Sequence, residues 1–149
     1  MAVWMLGGLL AAVLAFAAYV RLAPLDPGRW DVSPSVLAWD NGGPWDEVVA
    51  MEGGASLRLS TAVGAPDALL ARLDAIALAT PRTQRLAGSV EAGRITWITR
   101  SALWGFPDYT TAEARPDGLY ILSRLRFGRS DMGVNAARLK GWQASLTGG

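Results

Sequence analysis

Residues 123–135 read Ser-Arg-Leu-Arg-Phe-Gly-Arg-Ser-Asp-Met-Gly-Val-Asn, the densest polar run in the chain. Arg124, Arg126 and Arg129 fall close together, beside Ser130, Asp131 and Asn135 and just before an expected helix start. Guanidinium forks and the free N–H groups of a helix N-terminus both favour phosphate or carboxylate, so this run is a candidate anion site. Arg100 joins the same candidate set. The structural alternative makes Asp131 a helix cap, Asn135 a turn anchor and the arginines a solvated or ion-paired sheet face.

A second constellation gathers Trp104, Phe106, Asp108 and Tyr109 around Gly105 and Pro107. It reads as an exposed interaction loop or the lip of a pocket, or else as an aromatic corner tucked into the core. Asp108 and Asp131 are two carboxylates that could share acid/base work, but no spacing rule links them, and pairing with arginine is the plainer use. Thr80-Pro81-Arg82-Thr83 reads as an exposed structural turn.

Composition removes other chemistries. The 149 residues include no Cys and no His. There is no thiolate nucleophile, no disulfide, no Cys/His zinc site and no His base. No catalytic residue, metal ligand or cofactor is assigned. A net charge of +1 gives no bulk electrostatic case for nucleic acid. The charge is nevertheless uneven: residues 21–80 hold most of the acids and residues 81–149 most of the bases. A basic face could pair with the acidic half, or meet anionic lipid or an acidic partner.

These residues need elements to position them. Residues 3–20 form an uncharged apolar run, and a helix of that length spans about 27 Å at about 1.5 Å per residue. That suits a hydrocarbon core of about 30 Å, with Trp4 and Tyr19 near the two interfaces. Arg21, Pro24 and Pro27 end it. A single-pass anchor over residues 1–21, with residues 3–20 in the bilayer, is therefore expected. A cleaved secretory signal is the rival, although no basic residue precedes the run. Counting Lys and Arg leans towards a cytoplasmic domain.

Residues 22–55 read as a Pro/Trp-containing connector. Its Trp30, Trp39 and Trp45 predict that part of it packs on the domain or lies at a membrane surface. The soluble domain is expected over 56–149. Alternating residues predict a strand near 56–63, and Pro66 opens a helix with Leu69, Leu70, Leu73 and Ile76 as its apolar stripe. Strands follow near 83–91, 94–101, 109–115 and 119–127, with a turn at Arg115-Pro116-Asp117-Gly118. A last helix spans about 133–146. The order implies an α+β domain: a curved antiparallel sheet of about five strands with two helices packed on one face. In the last strand Leu119, Ile121, Leu125 and Phe127 share one face, and Tyr120, Leu122, Arg124 and Arg126 the other.

Several short motifs carry a resemblance. Pro81-Arg82-Thr83, Thr99-Arg100-Ser101 and Gly105-Phe106-Pro107-Asp108 precede Ser123-Arg124 through Gly128-Arg129-Ser130-Asp131, then Gly133-Val134-Asn135 and Arg138. With them the chain resembles the bacterial family called domain of unknown function 1499, in its form with one N-terminal membrane helix. A departure is Trp30-Asp31, where the resemblance leads one to expect His after the Trp. The resemblance implies an inner-membrane protein with its domain on the periplasmic side, and no established catalytic residue, cofactor or substrate. The expected function is a membrane-anchored interaction or anion/lipid-binding module. The alternatives are an accessory subunit of an integral membrane complex and, behind both, a hydrolase or transferase using Asp108, Asp131 and arginines.

Overall fold

The computed structural model describes residues 2–38 and 43–148, so Trp39 lies outside the described residues. The first element, α1, is a helix over Ala2–Leu22. Residues 4–16 all face outward, and the stretch Trp4–Leu22 is long and apolar enough to cross a membrane by length and composition, a test that a signal sequence also passes. Its C-terminal half meets the domain, Phe16 against Phe106, and Val20 is buried there, followed by Ala23 just past the helix.

A six-stranded antiparallel sheet follows: β1 (Val48–Met51), β2 (Gly54–Ser60), β3 (Thr83–Ser89), β4 (Arg94–Arg100), β5 (Pro107–Arg115) and β6 (Gly118–Leu125), in the order β1-β2-β6-β5-β4-β3. The α+β class is as the sequence implies, but there is one strand more than expected. The extra strand is β1, inside the stretch read as connector. Its four residues are too few to show alternation, and it forms only by pairing with β2 from Val48↔Leu57 to Met51↔Gly54. Gly54 has no room for a side chain, because a Cβ there would lie 2.2 Å from the Ser123 carbonyl oxygen.

Helices α4 (Pro66–Ala79) and α5 (Val134–Thr147) pack on one sheet face. Leu69, Leu70, Leu73, Leu139, Trp142 and Leu146 meet Leu57, Leu59, Ile95, Trp97, Leu119 and Ile121 in the main core. Asp74 is buried there and accepts hydrogen bonds from Trp97 Nε1 (2.9 Å) and from Arg85, so its charge is paired rather than stranded.

The opposite face is covered as well. Residues 23–38, with the short helices α2 (Pro27–Trp30) and α3 (Pro34–Ala38), form a strap across it. Trp30 stacks on Tyr109 with ring centroids 4.1 Å apart, over Ile98. Asp31 accepts from Thr96 Oγ1 (2.8 Å) and Arg94 Nε (3.1 Å), and Ser33 donates to Glu113. Leu122 is buried on this face, and so is Tyr120, whose ring meets Trp45 with centroids 5.7 Å apart. The face expected to be solvated is a second core.

The register defines two ends of the sheet. At one, Gly54 pairs with Arg124, Asp108 with Leu125, Thr99 with Asp108 and Thr83 with Thr99. The base of α1 touches this end: Phe16 meets Phe106, Tyr19 meets Phe127, and Arg21 donates to the Leu103 carbonyl at 3.2 Å. This is the α1 end; the turn at Gly118 marks the other.

Candidate functional site

The antiparallel pairing brings together motifs that are far apart in sequence. Arg82 lies in the turn just before β3, Arg100 ends β4, Asp108 is the second residue of β5, Arg124 the last but one of β6, and Asp131 and Asn135 flank the start of α5, all at the α1 end. The candidate residues nevertheless divide between the two faces of the sheet.

On the α4/α5 face lies a buried polar network. Ser123 Oγ is 2.8 Å from Thr110 Oγ1 and donates to Asn135 Oδ1 at 2.6 Å. Arg138 donates to Asn135 Oδ1, and to Asp108 Oδ2 at 3.1 Å. Asp131 caps α5: its carboxylate accepts from the backbone N–H of Asn135 (2.8 Å) and of Gly133 (3.1 Å). The two carboxyls move in opposite directions. Burial raises Asp108, against the opposing pull of Arg138. Burial would also raise Asp131, but hydrogen bonds from the Asn135 and Gly133 N–H groups outweigh it and hold the carboxyl below its ordinary value. Each acid is thus engaged in structure: Asp108 in an ion pair and Asp131 in a cap. Ser130 and Arg129 are exposed at the turn before α5.

On the strap face lie Arg100, Arg124 and Arg126. Arg126 donates to the Pro24 carbonyl (2.9 Å) and to Tyr109 Oη (3.2 Å). Arg100 donates to the Gly105 carbonyl at 3.0 Å. Arg124 donates to the Trp30 carbonyl at 3.2 Å, with its guanidinium 5.2 Å from the Trp30 ring centroid. Its Nε is buried with no hydrogen-bond partner among the described residues. Burial lowers its pKa, a cost that a bound anion would offset. Arg124 lines a groove of about 470 Å³ between the strap and the β1–β2 turn, together with Arg129, Glu52, Leu122 and Leu37. Among the described residues, none of Arg100, Arg124, Arg126 and Arg129 has a carboxylate within 4.0 Å.

The aromatic constellation is split too. Trp104 is exposed and Phe106 half-buried, beside α1. Tyr109 is fully buried under Trp30, and Asp108 turns inward to Arg138. Strand alternation sends Asp108 and Tyr109 to opposite faces, so neither belongs to an exposed loop. Arg21 and Arg82, in sequence a helix stop and a turn residue, lie beside Arg100 around a pocket of about 380 Å³. The left-handed backbone of Arg82, φ 60°, is a signal that no sequence pattern shows. Among the described residues, no group of three or more acidic side chains is placed to hold a metal ion.

A family model described as a protein of unknown function (DUF1499) matches residues 54–146. The chain belongs to this family. The match takes in the sheet from β2 to β6 with both packed helices, and stops short of α1, the strap and β1. Comparisons with curated proteins and with solved structures return no match. All the motif residues that carried the resemblance lie in the matched span, and those named above meet at the α1 end. Asp31, where the resemblance led one to expect His, binds Thr96 and Arg94 and so pins the strap.

Proposed function

We propose that this DUF1499 protein is a membrane-anchored module that binds an anionic ligand at the α1 end of its sheet, α1 being the anchor. The observation that carries the reading is Arg124: a half-buried guanidinium in a groove that Glu52 also lines, with an unpartnered Nε and no carboxylate within 4.0 Å among the described residues. A cation built only to stabilise the fold ordinarily has a carboxylate partner. Arg129 lines the same groove from its rim and can meet a second anion oxygen. Following the family resemblance, the domain lies on the periplasmic side of the inner membrane.

The test is a thermal-shift titration of the detergent-solubilised full chain with phosphate, pyrophosphate and dicarboxylates. At least one should raise the melting temperature, and Arg124→Ala should abolish that rise. If no anion shifts the wild type, or if Arg124→Ala responds as the wild type does, the reading fails.

A second reading, an accessory subunit of an integral membrane complex, is favoured by Leu103 and Met132, which are 75% and 91% exposed beside the anchor. Purification in mild detergent separates the two: a lone monomer counts against the subunit.

A further inference from the structure

We propose that Arg21, Arg82 and Arg100 form a headgroup site for one anionic phospholipid, whose acyl chain lies along α1 against Trp104 and Phe106. This rests on the reading of α1 as a membrane anchor and not on the Arg124 groove.

Three elements deliver these guanidiniums to one pocket: the end of α1, the turn before β3 and the end of β4. None has a carboxylate within 4.0 Å among the described residues. Arg21 donates to the Leu103 carbonyl (3.2 Å), Arg82 Nε to the Arg100 carbonyl (3.0 Å) and Arg100 to the Gly105 carbonyl (3.0 Å). A guanidinium carries about five N–H donors, so most remain for anion oxygens. Three like charges held together with no acid among them are a phosphate-binding arrangement.

The backbone is shaped around the cluster. Thr83 N–H returns to the Thr80 carbonyl at 3.2 Å, which places Pro81 and Arg82 in the middle of a turn. Arg82 has φ 60° at the position that Gly or Asn usually fills after a turn proline. An arginine is kept there despite the conformational cost. Gly105, at φ 75°, lets Arg21 lie across the loop, since a Cβ would stand 3.2 Å from the Arg21 Cγ and Nε.

The apolar half argues for a lipid over a soluble anion. The same loop, residues 101–106, gives Trp104 and Phe106 to a groove of about 330 Å³ lined also by Ala12, Val13 and Phe16. Those α1 residues lie roughly 7–14 Å along the helix from Arg21, at about 1.5 Å per residue. With α1 in a bilayer, Arg21 sits at headgroup level and the groove at acyl-chain level. A cationic pocket and an apolar groove joined across one loop match an amphiphile, and a soluble anion would use only the first.

The experiment reconstitutes the full chain in nanodiscs of phosphatidylcholine, with and without phosphatidylglycerol, and counts retained lipid by native mass spectrometry. The wild type should retain phosphatidylglycerol in preference to phosphatidylcholine. Arg82→Gly with Arg100→Gln should lower that retention at least tenfold and leave phosphatidylcholine adducts unchanged. Arg100 also braces Gly105, so Arg82→Gly alone decides the matter if the double variant does not fold. Glycine relieves the left-handed backbone, so this variant should melt at the wild-type temperature or above while losing the lipid. Arg124→Ala should keep its phosphatidylglycerol whether or not the groove binds anions. Unchanged retention in Arg82→Gly overturns the proposal. So does titration with inorganic phosphate that binds in an Arg82-dependent way while no phosphatidylglycerol preference is seen, since the site would then serve a soluble anion.

Discussion

Asp131 shows how a residue that looks like part of a site can be committed elsewhere. Its carboxylate satisfies two N–H groups at the start of α5, beyond the reach of backbone partners. Asp131→Ala should cost about 1 kcal/mol, the usual worth of such a cap. The folded-state carboxyl titrates below its unfolded value, so the contribution is full above the unfolded pKa. It is lost as the pH falls through the lower folded value. Urea denaturation of wild type and variant should differ at neutral pH and converge in acid; a constant gap would mean that the charge is not the cause. Asp131 was legible as a cap, because an Asp two residues before a helical run is a local pattern. The Arg138 partnership of Asp108 was not, because those residues are 30 apart and only the fold makes them neighbours.

The strap is the element that most changes how the sequence is understood. It carries few apolar residues in regular spacing, and its helices are each about one turn, so periodicity gives it no signal. It holds instead by point contacts: Trp30 on Tyr109, Asp31 on Thr96 and Arg94, and Ser33 on Glu113. The three Trp of the connector predicted packing: Trp30 packs within the strap and Trp45, beyond it, meets Tyr120; which face they would cover could not be read from composition. Trp30→Ala should destabilise the domain by about 3 kcal/mol, as removal of a buried Trp does. Hydrogen exchange should show faster opening of β4 and β5 with α4 and α5 little changed. Uniform acceleration throughout would indicate that strap and main core unfold as one unit.

At the scale of the whole molecule, charge is polarised along the sheet. Arg21, Arg82, Arg100, Arg124, Arg126, Arg129 and Arg138 stand at the α1 end, with Glu52, Asp108 and Asp131 as acids there. Asp46, Asp67, Glu91, Glu113 and Asp117 stand at the other, with Arg58, Arg94 and Arg115 as bases there. With α1 as the anchor, the basic end faces the bilayer surface, where anionic lipids draw cations and leave the acidic end outermost. On this reading, the chain should resist alkaline carbonate extraction, and a reporter that is active only outside the cytoplasm, fused after residue 149, should be active. Activity of a reporter confined to the cytoplasm would reverse the orientation and favour the Lys/Arg count over the family resemblance.

Local patterns were enough for the apolar helix, for five of the six strands, for both packed helices and for the α+β class, because strand and helix periodicities are properties of neighbouring residues. The absence of Cys and His likewise needed no structure. The tertiary structure decided what depends on distance across the chain. It paired β1 with β2, laid the strap over a face expected to be wet, and separated Asp108 and Asn135 from Arg124 and Arg126 by the thickness of the sheet. It also gathered Arg21, Arg82 and Arg100, three residues from three segments, around one pocket. Alternation along one strand says which residues share a face; only packing says what that face meets.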